Sequence, residues 1–308
     1  MQISNFLFHR VNPEKDKLWP PMEVPLFERC IKHISGNYTV VLMEDIVAGK
    51  LPANNKKKLA TIQFDDGYKD NIDYALPILD KYNCKASFYI VTNCIDYNIP
   101  TWTYIFDYSF QHSEKLSIDL SFEYLPEAFK TTGFNSAEER VEYAARFKPY
   151  MKTLTHEQRE EVLQKITTTF NDVELPRIMM NWDDVKRLKN EGHYIGSHTV
   201  THSLLGTMKN PDVIRNELRQ SADRINEMLG YFPVTISYPN GSYSNTTMQI
   251  AKEEGYTAGL ALKYRPYNTT AENAFEISRI ELYNEPWLKT LLRMKAVLQK
   301  IKKIYSSK

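Results

Sequence analysis

The sequence predicts an α/β barrel built from parallel βα units, with a mainly helical insertion between two of them. Three observations carry this: short β-type runs recur ahead of helix-type patterns, glycines stand where helices should stop, and one long central stretch breaks the rhythm. At 308 residues the chain is long for an average domain but ordinary for an α/β barrel, so one domain spanning 1–308 is expected.

Taken in order, the β-type runs fall at 3–8, 39–42, 59–64, 86–91, 194–197, 234–238 and 257–262. Helical patterns lie at 25–34, 71–82, 183–190 and 212–229. Asn71, Asn181 and Asp212 read as start signals, and Gly192, Gly230 and Gly255 as stops. Residues 100–176 break the alternation, opening on Trp102, Tyr104, Phe106, Tyr108 and Phe110 and continuing through charged helical sequence at 136–147 and 155–170. Two roles fit this insertion: a lid over a substrate cleft, because barrel loops carry function, or a helical pair packed on the barrel wall.

Hydrophobic content of 42%, charged content of 25% and a net charge of +1 are ordinary globular values. They give no support to nucleic-acid binding or to disorder. Cys30, Cys84 and Cys94 are odd in number and lack CxxC spacing, which argues against a disulfide framework and a thiolate metal site. The first residues lack a basic region followed by an apolar run, and no stretch approaches 18 apolar residues. A cytoplasmic protein is expected.

The chemistry concentrates at two strand ends. The run at 59–64 leads into Asp65, Asp66 and Gly67, and two adjacent carboxylates there must be solvated, paired or bound to a cation. By itself this is a common turn sequence. A second strand leads into His198 and His202, whose spacing lets both imidazoles face one point. Two histidines and one carboxylate leave coordination positions open for water and substrate, as a catalytic metal requires. Zincin proteases place a glutamate directly after the first histidine, but Thr199 stands there, so Asp65 is the economical base.

These motifs, QFDDG at 63–67 and SHTVTHSLL at 197–205, resemble those of the polysaccharide deacetylase (NodB homology) family. The start at Phe8, His9, Arg10 and Val11 and the segment from Asn181 through Gly192 extend the likeness, which is weakest over 100–176. The resemblance implies a distorted (β/α)7 barrel that removes an N-acetyl or O-acetyl group from a sugar. It also implies that Asp65 is the base and that Asp66, His198 and His202 hold a divalent metal, usually zinc.

Two departures matter. The third motif reads SYPNG at 237–241 without its usual arginine, similar to the branch containing poly-N-acetylglucosamine deacetylases. The backbone N–H of Asn240 is then expected to help an oxyanion, and Arg279 to replace the missing arginine by pairing with Asp65. The late histidine motif is also missing, and in that branch it is permuted to the N-terminus. His9 matches it and is expected to be the general acid. His33, His112, His156 and His193 have no convergent partners in this reading, and Tyr243 and Trp182 read as packing residues that border the cleft at most.

Residues 286–308 form a basic amphipathic segment, with seven Lys or Arg and no Asp or Glu from Trp287 onward and with Leu288, Leu291, Leu292, Leu298 and Ile301 near one face. It is expected to pack on the barrel or to lie peripherally on an anionic membrane, which would suit a lipid-linked saccharide substrate. Other readings stay open at this point: a hydrolase of a non-sugar amide or cyclic imide, or an inactive carbohydrate-binding homologue. A non-haem iron oxygenase uses the same donor set but gives no reason for Asp65 beside the ligand carboxylate.

Overall fold

The computed structural model describes residues 1–52 and 57–297. Its strands are β1 (Gln2–Phe8), β2 (Tyr38–Val40), β3 (Lys58–Asp66), β4 (Ser87–Ile90), β5 (Ser117–Asp119), β6 (Thr131–Gly133), β7 (Tyr194–Ser197), β8 (Thr235–Ser237), β9 (Ala258–Leu262), β10 (Tyr267–Asn268) and β11 (Ile277–Glu281). Strands β1, β3, β4, β7, β8, β9 and β11 pair in parallel and form a closed ring, because β1 pairs with both β3 and β11. This is a (β/α)7 barrel. Strand β2 pairs with the first residues of β3, and β10 pairs antiparallel with those of β1, so both extend the sheet without entering the ring.

The run expected at 39–42 is therefore a flanking strand, and the seventh stave is β11, which hydrophobic patterning did not mark. The reason lies inside the barrel, which is partly polar. Asn5 accepts from Thr61, Thr61 accepts from Gln63, and Glu44 accepts from Ser87, Tyr89 and Thr235. A stave that sends Arg279 into that interior and sets Ser278 beside it on the other face reads weakly as a strand.

The helices are α1 (Val24–Asn37), α2 (Met43–Val47), α3 (Leu76–Lys81), α4 (Thr92–Tyr97), α5 (Trp102–His112), α6 (Ala137–Met151), α7 (His156–Thr169), α8 (Trp182–Asn190), α9 (Pro211–Leu229), α10 (Asn245–Glu253) and α11 (Trp287–Met294). Asn181 caps α8 through its side chain, and Gly230 closes α9 at φ 76°. Two start signals resolve differently. Asn210, not Asp212, caps α9, and Asn71 opens a π-helical turn (Asn71–Ala75) ahead of α3. The buried Asn71 amide instead donates to His9 O at 2.7 Å, fixing the loop after β1.

Between β4 and β7, helices α5, α6 and α7 and the β5–β6 hairpin pack around their own apolar cluster, including Phe106, Phe110, Phe147 and Ile166. Leu204, just beyond His202, belongs to the same cluster, and the Trp102 indole donates to His202 O at 3.2 Å. The insertion is thereby fastened to the second histidine motif. Trp102, Phe106 and Phe110 are spent on this packing, and Tyr104 on a separate cluster with Tyr68 and Met179, rather than displayed as a surface for sugar rings.

The C-terminal segment departs from a continuous helix, because α11 ends at Met294 and Ala296 adopts φ 55°. Its buried positions are Thr290 and Met294, while Leu288 is exposed. Glu285 draws Lys289 and Arg293 to the near side and so sets the face presented to the barrel. Leu298 and Ile301 lie outside the described residues. Among the described residues no helix is long and apolar enough to cross a membrane.

Candidate metal centre and active site

The expected site residues converge at the C-terminal ends of the staves, where barrel active sites are built. Asp65 and Asp66 end β3, His198 follows β7, Asn240 follows β8, Arg279 lies within β11 and His9 follows β1. The chain turns sharply there. Asp66 (φ 78°), Thr199 (φ 70°), His202 (φ 62°) and Asn240 (φ 52°) are non-glycine residues in the left-handed region. Each such residue costs on the order of 1 to 3 kcal/mol unless its surroundings enforce it. The enforcement is visible at the histidine loop, where Glu217 on α9 accepts from the Val200 and Thr201 N–H groups and the Thr201 hydroxyl.

Asp66, His198 and His202 are buried, with donor atoms within 4.8 Å of one another. Asp66 Oδ1 lies 3.3 Å from Nε2 of both imidazoles. His198 Nδ1 is 2.7 Å from Ser237 O, so Nδ1 carries the proton and a neutral ring presents its Nε2 lone pair to the carboxylate. Acceptor then faces acceptor, and Asp66 Oδ1 makes no hydrogen bond among the described residues. A cation among these three atoms resolves the conflict, and two nitrogens with one oxygen suit a divalent transition metal. Burial raises the Asp66 carboxyl, but His202 beside it holds the group well below the usual range.

Asp65 points beside this cluster. Arg279 NH1 and NH2 each donate to one of its oxygens at 2.9 Å, and the Ser237 hydroxyl adds a third bond at 2.9 Å. Burial pushes Asp65 up, yet the Arg279 guanidinium holds it below the ordinary carboxylate value, so it stays ionised.

His9 lies on the rim with Nδ1 3.6 Å from Glu281 Oε1, and Trp19 meets its ring edge at 5.5 Å. Glu281 also accepts from the Tyr264 and Tyr283 hydroxyls. Sequence reasoning missed this carboxylate. The available signal was its position two residues after Arg279, which puts both on the same side of β11. Asn240 enters through its side chain as well, since Lys152 Nζ donates to its Oδ1 at 2.7 Å.

A cavity of about 520 Å³ opens over these groups. Its aromatic lining is Trp19, Tyr264 and Tyr283, and α6 of the insertion with its C-cap Lys152 supplies Ala145, Lys148, Pro149 and Lys152. Tyr243 and Trp182 do not line it; they bond Glu276 and Asp96 instead. His33, His112 and His156 also stay outside the cavity lining. His193 corrects the expectation that it lacks convergent partners, because Asp80 and Glu191 gather beside it at the opposite end of β7. Its Nδ1 accepts the Ala86 N–H at 3.1 Å, so the other nitrogen carries the proton and is not a metal ligand, although it makes no hydrogen bond among the described residues.

The family model for polysaccharide deacetylase matches residues 53–259. The peptidoglycan-N-acetylglucosamine deacetylase of Bacillus cereus is 36% identical over 72 residues, which are 23% of this chain and 26% of that relative. The curated relatives matched are covered over 26%, 28% and 64% of their own lengths. Among solved structures, the Streptococcus pyogenes deacetylase PplD superposes with TM-score 0.63 at 19% identity, covering 96% of this chain and 98% of that one. A de-N-acetylase from Aggregatibacter actinomycetemcomitans gives TM-score 0.60 at 17% identity over 96% and 100% of the two chains. At these identities the structural likeness is one of fold.

Proposed function

Because the chain belongs to the polysaccharide deacetylase family, we propose that it hydrolyses the N-acetyl or O-acetyl group of a sugar, most simply an N-acetylhexosamine, with a divalent cation such as Zn2+ held by Asp66, His198 and His202. The observation that carries this reading is the convergence of two imidazole nitrogens on a carboxylate oxygen that has no hydrogen bond among the described residues, with a second, ionised carboxylate alongside. When bound, the cation supplies Lewis-acid activation of water and of the acyl oxygen.

The remaining work falls to the chain. Asp65 accepts the proton of the attacking water, and Arg279 keeps its carboxylate ionised and aimed. The Asn240 N–H donates to the developing oxyanion, its left-handed backbone setting the direction of that bond. His9, with Glu281 on its far nitrogen, delivers a proton to the departing amine. Trp19, Tyr264 and Tyr283 supply ring and hydroxyl surface suited to a sugar. An inactive binding scaffold loses its main support, since Arg279 supplies the guanidinium that the third motif lacks. Three buried free cysteines suit a reducing, cytoplasmic setting.

The test is metal analysis of the purified protein with acetate release from N-acetylglucosamine conjugates, repeated on Asp66→Asn and His198→Ala. Loss of metal together with acetate release supports the reading. Full turnover in protein stripped of metal, or no acetate from any acetylated sugar, overturns it.

A further inference from the structure

Helix α6 presents two unlike faces. Tyr143, Ala144, Phe147 and Met151 are buried in the core of the insertion. Ala145, Lys148, Pro149 and Lys152, spaced i, i+3, i+4 and i+7, line the catalytic cavity on the other side. A small residue and a proline leave room there, and two lysines four positions apart fill the face with positive charge. Lys17, from the loop after β1, joins them on the cavity lining.

Among the described residues Lys152 is the one of these three cations with no carboxylate in ion-pair distance, and no acidic group lining the cavity is left over to serve it. Of the acidic groups lining the cavity, Asp65 is held by Arg279, Asp66 is turned to the two imidazoles of the metal site, and Glu281 is held by His9, Tyr264 and Tyr283. Lys148 is tied to Asp107, and Lys17 reaches Glu138 only at 3.8 Å between two exposed side chains. Lys152 is partly buried and makes no ion pair among the described residues; its hydrogen-bond partner is the neutral Asn240 oxygen. A desolvated ammonium without a counter-charge is unfavourable unless a ligand supplies one.

Resting on the deacetylase reading above, we propose that Lys148, Lys152 and Lys17 form a phosphate-binding subsite, and that the substrate is an acetylated sugar carrying a phosphate ester or diphosphate near the acetyl group. Lysine ammonium groups meet phosphate as point charges with freely rotating donors, whereas a planar carboxylate is better met by the arginine fork, which this wall does not offer. The insertion then acts as a specificity wall. It brings the anion to the α6 wall, where Lys152 already touches Asn240, so binding the phosphate also registers the acetyl group over the catalytic residues.

The experiment compares acetate release from N-acetylglucosamine 1-phosphate, UDP-N-acetylglucosamine and a short-chain polyprenyl diphosphate N-acetylglucosamine with release from neutral N,N′-diacetylchitobiose. It uses the full-length metal-loaded protein and the variants Lys148→Met, Lys152→Met and Lys17→Met. The expected result is a kcat/KM for at least one phosphorylated substrate more than tenfold above the neutral one, with that ratio falling roughly tenfold on loss of Lys152, the scale of one charge-assisted hydrogen bond. The three phosphorylated arms separate a free sugar phosphate, a nucleotide and a lipid carrier as the source of the anion. If Lys152 serves only to position Asn240, both substrate classes lose activity equally and the ratio stays fixed, which overturns the subsite. Equal turnover of neutral and phosphorylated sugars by the wild-type protein does the same while leaving the deacetylase reading intact. Absence of acetate from every substrate strikes the deacetylase reading itself.

Discussion

Arg279 grips Asp65 through two parallel hydrogen bonds of 2.9 Å across 214 positions of sequence, and both side chains are buried. The pair joins two staves of the barrel and fixes the plane of the carboxylate beside the metal ligands. Charge alone does not reproduce this, because the fork geometry aligns both oxygens at once. Arg279→Lys is therefore expected to lower kcat on the order of a hundredfold, the scale of one lost preorganised contact, with metal content unchanged. Arg279→Met, which strands Asp65 as an unpaired buried charge, should also lose about 3 to 5 kcal/mol of stability in urea unfolding. Wild-type turnover in the lysine variant would remove Arg279 from the mechanism.

His9 and Glu281 make the second prediction. A histidine that gives a proton to the leaving amine needs its other nitrogen held, and Glu281 stands 3.6 Å from Nδ1. His9→Gln should retain metal yet lose turnover by roughly 10² to 10⁴, the range for general acid catalysis. Glu281→Gln should lose less, because it leaves the imidazole in place. Acetyl esters with good leaving groups should be spared in both variants, since their departure needs little proton transfer. A uniform loss across good and poor leaving groups would assign His9 to packing.

These residues also show which parts of the site were legible in the sequence. Asp65, Asp66, His198 and His202 announce themselves because a metal site needs particular residue types at short, fixed spacings on strand ends. Glu281, Glu217 and Lys152 carry no such local mark. Each acts through a fold-level approach, Glu217 from a helix flank to the histidine loop and Lys152 from the insertion to Asn240. The barrel itself was legible from its βα rhythm, except at β11. There Arg279 faces the polar interior and Ser278, on the other side of the strand, donates to Glu272, so neither face keeps the hydrophobic pattern that marks the other staves. The C-terminal helix was legible only in part: its apolar stripe continues past Met294 in the sequence, but α11 ends there and Ala296 takes a left-handed φ with no glycine or proline to signal it.

Gly196 gives a prediction about stability. It precedes Ser197 and His198 on β7, and a Cβ there would stand 2.4 Å from the ring of Tyr89, a buried side chain whose hydroxyl donates to Glu44 at 2.9 Å. Neither the ring nor its hydrogen bond can give way cheaply. Gly196→Ala should cost about 3 kcal/mol through overpacking. Gly230→Ala, at φ 76° with open space around the Cβ position, should cost only about 1 kcal/mol from backbone strain. Urea titrations of the two variants test the ordering, and similar midpoints would show that the barrel interior relaxes around Tyr89.

His193 should make the fold sensitive to acid. Burial, reinforced by Lys85, pushes its imidazole down to about 4, against an ordinary value of 6.5. Between those values the unfolded chain binds a proton that the folded one refuses, so this residue's contribution is complete above the ordinary value and is lost as pH falls toward the folded one. The loss reaches at most roughly 3 kcal/mol at the acid end. His193→Gln can still accept the Ala86 N–H through its amide oxygen but does not titrate. Unfolding free energies at pH 7 and pH 4.5 should therefore fall less for this variant than for the wild type, with the carboxylate contributions common to both. Parallel losses in the two proteins would mean that His193 is protonated in the folded state, with Asp80 and Glu191 accepting its charge.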